Sequence, residues 1–460
     1  MKTIRVDEVG AIGDGVFDNS KIFQRALHEL AETGSGTLII PPGQWRTGPI
    51  DLPSNCTFKL ESGCTVSFIA EFDRYRPIWT RWEGVECYAM HPCISVREAT
   101  DVVITGEGTI DGSGNVWWNY RSTLKAHNRM NPVSDIEHTF ARLNPDYVGQ
   151  PGGGGGRATQ FLAPPLIQFY RCSNVKIEHV TVQNSPFWTI HPVYCEDVHI
   201  DNVKVINPYD APNTDGIDID SCSRVNISRC CVDVGDDAIV LKSGSGSDGM
   251  KVGIKTKDVV ISDCNIKRAH GGVVIGSETA GGVENVKATG CTFEQTDRGI
   301  RVKTRRGRGG AIRNLSFTFC TMVDNLCPIA VNMYYRCGIL DHEKTHAFST
   351  DLLPLEHETP SIEQIEIKDV KATGSKASAA FFAGLPEAPI KNLILENLDL
   401  HVDGQSSIPV SESEMYEGLP ETDFRGVRIR NCIDVKCKNV KVDGVFEPYM
   451  IEDGSIVEIL

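Results

Sequence analysis

A short alternation of apolar and polar residues recurs along the chain. NVKIEHVTV begins at Asn174, DVHIDNVKV at Asp197, RVNISRCCV at Arg224 and DVVISDCNI at Asp258. Later copies are AIRNLSFTF from Ala311, SIEQIEIKDV from Ser361, IKNLILENLDL from Ile390 and IDVKCKNVKV from Ile433. The first valines of the early copies fall 23, 27 and 34 residues apart. Within a copy the period is two, so each copy is a strand with one buried face. A second short strand follows most copies, as in WTIHPV, GIDID, AIVLKS, GVVIGS and GIRVKT. One such coil cannot bury its own apolar face, so coils must stack. The pattern predicts an all-β fold, a right-handed parallel β-helix forming a single domain over residues 1–460.

Two regions depart from the repeat. Phe23, Ala26, Leu27 and Leu30 share one face of a predicted helix over about residues 21–32. Ser20 stands where a cap would be and Gly34 where a helix ends. This helix belongs to an N-terminal capping segment of about residues 1–50, placed over an end whose open edge would otherwise pair with another chain. Residues 112–165 interrupt the coils with Trp117, Trp118 and the run Gly152–Gly156. A loop of that length is expected to be functional or disordered. A second long excursion covers about residues 338–360.

Composition narrows the function. Forty-six basic and 61 acidic residues give a net charge of −15, which argues against nucleic acid as a partner. No run approaches 18 apolar residues, so no membrane span is expected. The N-terminus MKTIRVDEVGAIGDG has no apolar leader, which predicts a cytoplasmic protein. A sequence trimmed of its leader would read the same. The 16 cysteines show no zinc spacing and read as reduced core fillers.

Polar groups interrupt successive strand regions. Asn213-Thr214-Asp215-Gly216 is followed 22 residues on by Gly235-Asp236-Asp237. That interval is close to one coil. Strict alternation would send Asp236 and Asp237 to opposite faces, so their convergence requires a bend or bulge. Clustered carboxylates repel and raise the pKa of at least one, which makes a general acid. Three hard oxygens would equally suit calcium. The next coil holds Ala269-His270-Gly271, and the one after holds Arg301-Val302-Lys303, whose two cations share a strand face. The run Lys303, Arg305, Arg306, Arg308 could steer an anionic ligand or lie in a solvated loop.

The ordered series NTD, GDD, HG and RVK resembles glycoside hydrolase family 28, the polygalacturonases, and GAIGDGVFDNSKIFQRAL resembles the opening of pectin-lyase-like β-helices. TGPI, NSPFW, IGSE and NMYYRCG also look like bacterial members. The resemblance implies inverting hydrolysis of α-1,4 bonds between galacturonic acid residues. It implies Asp236 as general acid, with Asp215 and Asp237 activating water. His270 supports the acid, and Arg301, Lys303 and Asn213 bind substrate. Tyr334 or Tyr335 would pack on a sugar. No metal and no cofactor are implied. Ala269 replaces the family's usual glycine and RVK its usual RIK, both small departures.

The partner expected is a galacturonate-containing oligo- or polysaccharide, with oligomeric state unspecified. The insertion at 112–165 and GLPEAPIKNLILEN from Gly384 resemble exo-acting bacterial members. They predict release from the non-reducing end. The alternatives are endo action, a rhamnogalacturonan or xylogalacturonan hydrolase of the same family, a pectate lyase, and a non-catalytic carbohydrate-binding β-helix.

Overall fold

The structure is a computed structural model that describes residues 2–127, 129–149 and 156–460. Gly152–Gly155 of the glycine run lie outside the described residues. The chain divides into two compact units. The first runs through Trp82 and continues over Glu86–Gly149 and Gly156–Asp236; the second takes Glu83–Val85 and Asp237–Leu460. Each is built of stacked, hydrogen-bonded parallel strands.

In the first unit one stack contains Lys2–Arg5, Gly36–Ile40, Cys56–Leu60, Thr100–Gly106, Ser173–Glu178, Glu196–Asp201 and Ser223–Ser228. The repeat valines align in register, Val102 with Val175, Val198 and Val225, and the isoleucines follow as Ile104, Ile177, Ile200 and Ile227. All eight are buried, which makes two continuous apolar columns. The residue before each valine is a corner. Asp101, Asn174, Asp197 and Arg224 all have φ between 50° and 58°. Asp and Asn tolerate this left-handed region better than most residues, which explains the residue at three of these four corners. Cysteines stack in the same way. The Cys172 amide donates to the Cys195 sulfur (3.4 Å) and the Cys195 amide to the Cys222 sulfur (3.3 Å).

The helix spans Ser20–Glu32 and buries the four predicted residues. Its cap differs from expectation. Asn19 is the capping residue, and Ser20 lies inside the helix, where its hydroxyl accepts the Gly48 amide (2.6 Å). Leu30 presses on Gly36, where an added Cβ would lie 2.4 Å from Leu30 Cδ2. The helix thus packs on the first coil.

The insertion is ordered in its described parts, with helices Asn115–Ala126 and Asp135–Leu143. Trp117 is fully buried 4.5 Å from the Phe72 ring, and Trp118 donates to the Ser185 carbonyl (2.9 Å). Both tryptophans therefore anchor the insertion.

The second unit repeats the plan with Thr256–Ser262, Val283–Thr289, Ala311–Thr318, Ser361–Ser375, Ile390–Val402 and Cys432–Asp443 in one stack. A second stack runs Asp237–Lys242, Gly271–Gly276, Ile300–Lys303, Ile329–Asn332, Ala380–Ala383 and Val427–Arg430. Among the described residues no helix is long and apolar enough to cross a membrane.

Ile200 sits between Ile177 and Ile227 in a fully buried column. Ile200→Ala is expected to destabilise the protein by about 2–5 kcal/mol, read as a lowered urea midpoint at unchanged slope. A loss under about 1 kcal/mol would mean that the column is not packed as described.

Candidate active site

The first unit carries Asp215 and Asp236. Another of its stacks contains Ile94–Arg97, Ile167–Tyr170, Ile190–Val193 and Ile217–Asp220. Asp215 lies two residues before the last of these strands and is 3 % exposed. Its carbonyl accepts the Thr189 amide (2.9 Å), which ties it to the coil below. Asn207 holds the approach. Its Oδ1 accepts the Ser185 amide (2.8 Å), and its Nδ2 donates to Thr189 Oγ1 (2.9 Å) and to the Thr214 carbonyl (3.1 Å). Asn207 is a positioning residue that the motifs did not reveal, since an asparagine in a turn carries no signal. Asn213 is half-buried with φ 51° and starts the same loop.

Asp236 is half-buried at a bend that begins at Gly235, and the following strand starts at Asp237. The bend needs glycine. A Cβ on Gly235 would lie 1.9 Å from the Tyr209 carbonyl oxygen. Asp215 and Asp236 bring a carboxylate oxygen each within 4.8 Å of one another. That spacing suits two carboxylates working on one substrate atom, and it would also accept a hard cation.

The second unit carries the remaining groups. Arg301 and Lys303 project from one face of Ile300–Lys303 and converge on Asp237. Arg301 Nη1 donates to Asp237 Oδ1 (3.0 Å) and Lys303 Nζ to Asp237 Oδ2. Burial alone would push the Asp237 carboxyl up, but the Lys303 ammonium and the Arg301 guanidinium outweigh it and hold it well below the usual carboxylate range. Burial likewise opposes the Lys303 charge, and Asp237 more than restores it. Two cations thus face one fixed anion. Gly271 makes the space: a Cβ there would lie 2.8 Å from Asp237 Oδ1 and 3.2 Å from Arg301 Cδ. This gives the glycine of the HG pair a physical reason. His270 is half-buried, and its carbonyl accepts from Arg298 (3.4 Å).

The two tyrosines separate. Tyr335 lies beneath the cations, its ring centre 5.5 Å from Arg301 Cζ and 5.3 Å from Lys303 Nζ. Tyr334 is fully buried 6.0 Å from Arg306, so it cannot pack on a sugar from this position. Met415 is a further neighbour without a sequence signal; its sulfur lies 3.1 Å from Arg301 Nη2.

The basic run is neither a steering patch nor a solvated loop. Arg305, Arg306 and Arg308 are at most 3 % exposed. Arg305 donates to the Cys337 and Gly338 carbonyls, Arg306 pairs with Glu387 (2.6 Å), and Arg308 reaches Ser245 (2.8 Å). Arg306 also donates to the Ser349 carbonyl (2.6 Å), so the run clamps the excursion after Cys337.

The carboxylates of the first unit can serve acid–base chemistry, and the paired cations of the second can hold an anion. The sequence profile of glycosyl hydrolases family 28 matches residues 154–416. The chain belongs to this family and is a glycoside hydrolase. It is 29% identical to "Probable polygalacturonase" of Vitis vinifera over 405 residues, 86% of this chain and 73% of that one. An exopolygalacturonase from Thermotoga maritima is 31% identical at a TM-score of 0.73, covering 99% of this chain and 91% of that one. The Yersinia enterocolitica family 28 exopolygalacturonase shares the fold at a TM-score of 0.75 and 18% identity, covering 99% and 78%. The parallel β-helix expected from the repeats is the fold.

Gly235→Ala is expected to lower kcat by about 10²-fold, because the Tyr209 carbonyl must displace the bend that carries Asp236 by about 1 Å. The check is steady-state kinetics on a variant whose melting temperature is measured alongside. Wild-type kcat would show that the bend does not position the carboxyl.

Proposed function

We propose that the protein is a polygalacturonase that hydrolyses α-1,4 bonds between galacturonic acid residues, removing sugar from the non-reducing end with inversion. The observation that carries this reading is the buried pair Arg301 and Lys303, two cations held side by side on one strand face. Paired cations of this kind suit a uronate carboxylate better than a neutral glycan. In this reading Asp236 protonates the departing glycosidic oxygen. Asp215 and Asp237 hold and deprotonate the attacking water, and His270 supports the acid's protonation and hydrogen-bonds the sugar. Asn213 contributes a substrate contact from the loop before Asp215.

Exo action is supported by what covers the first unit. The outer row Ser95, Gln168 and His191 continues in register to Asp218, and each is at most 1 % exposed. A hairpin of Pro77–Trp82 and Val85–Met90 covers it: Thr80 Oγ1 donates to Gln168 Oε1 (2.8 Å) and Arg81 pairs with Asp220. The insertion backs the hairpin, with Asn144 exchanging two hydrogen bonds with the Tyr88 backbone (2.8 Å each). The related Thermotoga maritima exopolygalacturonase is consistent with this reading.

Inversion rests on the family resemblance. Asp215 and Asp236 each bring an oxygen within 4.8 Å of the other's, closer than the roughly 6.5–9.5 Å that inverting enzymes usually keep between carboxyls.

Trigalacturonate and polygalacturonate, digested with EDTA present, are expected to give monomer from the first time points. Proton NMR should show the β-anomer first. A mixed early ladder would refute exo action, an α-anomer inversion, and unsaturated product the hydrolase reading.

Lys303→Met is expected to raise KM for trigalacturonate by about 10–100-fold, the loss of one charged hydrogen bond. It also removes a cation that depresses Asp237. The Asp237 pKa therefore rises, the carboxylate protonates at a higher pH, and the acid limb of the kcat profile moves upward. Lys303→Arg should restore the limb. An unmoved limb in the methionine variant would place Asp237 outside the chemistry.

A further inference from the structure

We infer that Arg81 is a positioning residue that sets exo action by bolting the hairpin Pro77–Met90 to the strand that follows Asp215. This rests on the exo reading above. Arg81 Nη1 donates to Asp220 Oδ1 (2.7 Å) and to Ser221 Oγ (2.7 Å), and the Arg81 and Asp220 side chains are both fully buried. The guanidinium lies 4.6 Å from the Tyr194 ring centre, and the Tyr194 hydroxyl donates to Glu86 on the returning arm (3.0 Å). The residues on either side dock elsewhere. Thr80 binds Gln168, and Trp82 stacks on Phe187 at 4.0 Å and 10°.

A fully buried ion pair is a poor way to gain stability, since an apolar pair of the same volume avoids the desolvation of two charges. Its geometry is specific, however: Thr80, Trp82 and Tyr88 also anchor the hairpin, but the Arg81 fork adds a charge-assisted contact that fixes its position on the strand beneath. Asp220 ends the strand that begins at Ile217, two residues after Asp215, so the bolt fixes the hairpin relative to the carboxylate. What the hairpin covers is a row of polar side chains at equal height on successive coils. Uncovered, Ser95, Gln168, His191 and Asp218 would form a polar track along which a longer polysaccharide could lie. Arg81 therefore decides whether that track is open.

The experiment compares products from polygalacturonate for wild type, Arg81→Lys and the double variant Arg81→Met/Asp220→Asn, which removes both members of the ion pair. Wild type and Arg81→Lys are expected to release monomer only. The double variant should give mixed dimers and trimers early and lose viscosity at least tenfold faster per bond cleaved. Trp82→Ala loosens the same hairpin without touching a charge and serves if the double variant does not fold. A mixed ladder from wild type itself would defeat the exo reading. Monomer-only wild type with monomer-only products from a folded hairpin variant would overturn the role of Arg81.

Discussion

Lateral register between parallel strands is the constraint on which the rest depends. Side chains alternate with period two, so a slip of one residue would turn every apolar column outward. The corners at Asp101, Asn174, Asp197 and Arg224 set the phase of each coil just before its first core valine. Once the phase is set, the outward positions also fall in line. This is why Ser95, Gln168 and His191 share one height in the first unit. In the second unit it pairs Asp237 with Gly271 and Lys303 with Gly276, so that residues without side chains lie beside the charged ones.

The buried charges of the second unit follow a different logic from its core. Arg301, Lys303 and Asp237 are each at most 7 % exposed. Taking such groups out of water costs several kcal/mol per ion, which their mutual attraction repays only in good geometry. The arrangement makes sense as preorganisation: the donors are already turned toward an anion before a second one arrives, so little reorganisation is needed on binding. Asp237 keeps the cations in place, and they keep it ionised. Arg305, Arg306 and Arg308 use the same chemistry to fix backbone, with carbonyls or buried acids as partners.

The fold was legible because its signal is repeated. Each copy of the alternation is weak, but eight copies with shared phase leave one architecture. The aspartates, His270, Arg301 and Lys303 were legible as residue types in an order. What stayed hidden was contact between distant segments. Nothing in WTRWEG marks Arg81 as the partner of Asp220, 139 residues away. The basic run misled because density of charge along a strand says nothing about burial; its partners Glu387, Ser245 and the 337–351 carbonyls come from elsewhere in the chain. Tyr334 and Tyr335 are adjacent in sequence and opposite in setting, which alternation allowed but could not orient. Ser20 looked like a cap by type, yet the chain turned one residue earlier at Asn19.

The stacked thiols make the protein its own unfolding gauge. All cysteines except Cys231 and Cys337 are buried, and they are spread from Cys56 to Cys437. Burial pushes the Cys56 and Cys432 thiols up to about 12, so in the closed state these groups are both unreachable and unreactive. A thiol reagent therefore labels a given coil only while that coil is open. Because the coils are strung in chain order, the sequence in which cysteines are labelled is a record of where the solenoid frays first and how far each opening travels along it.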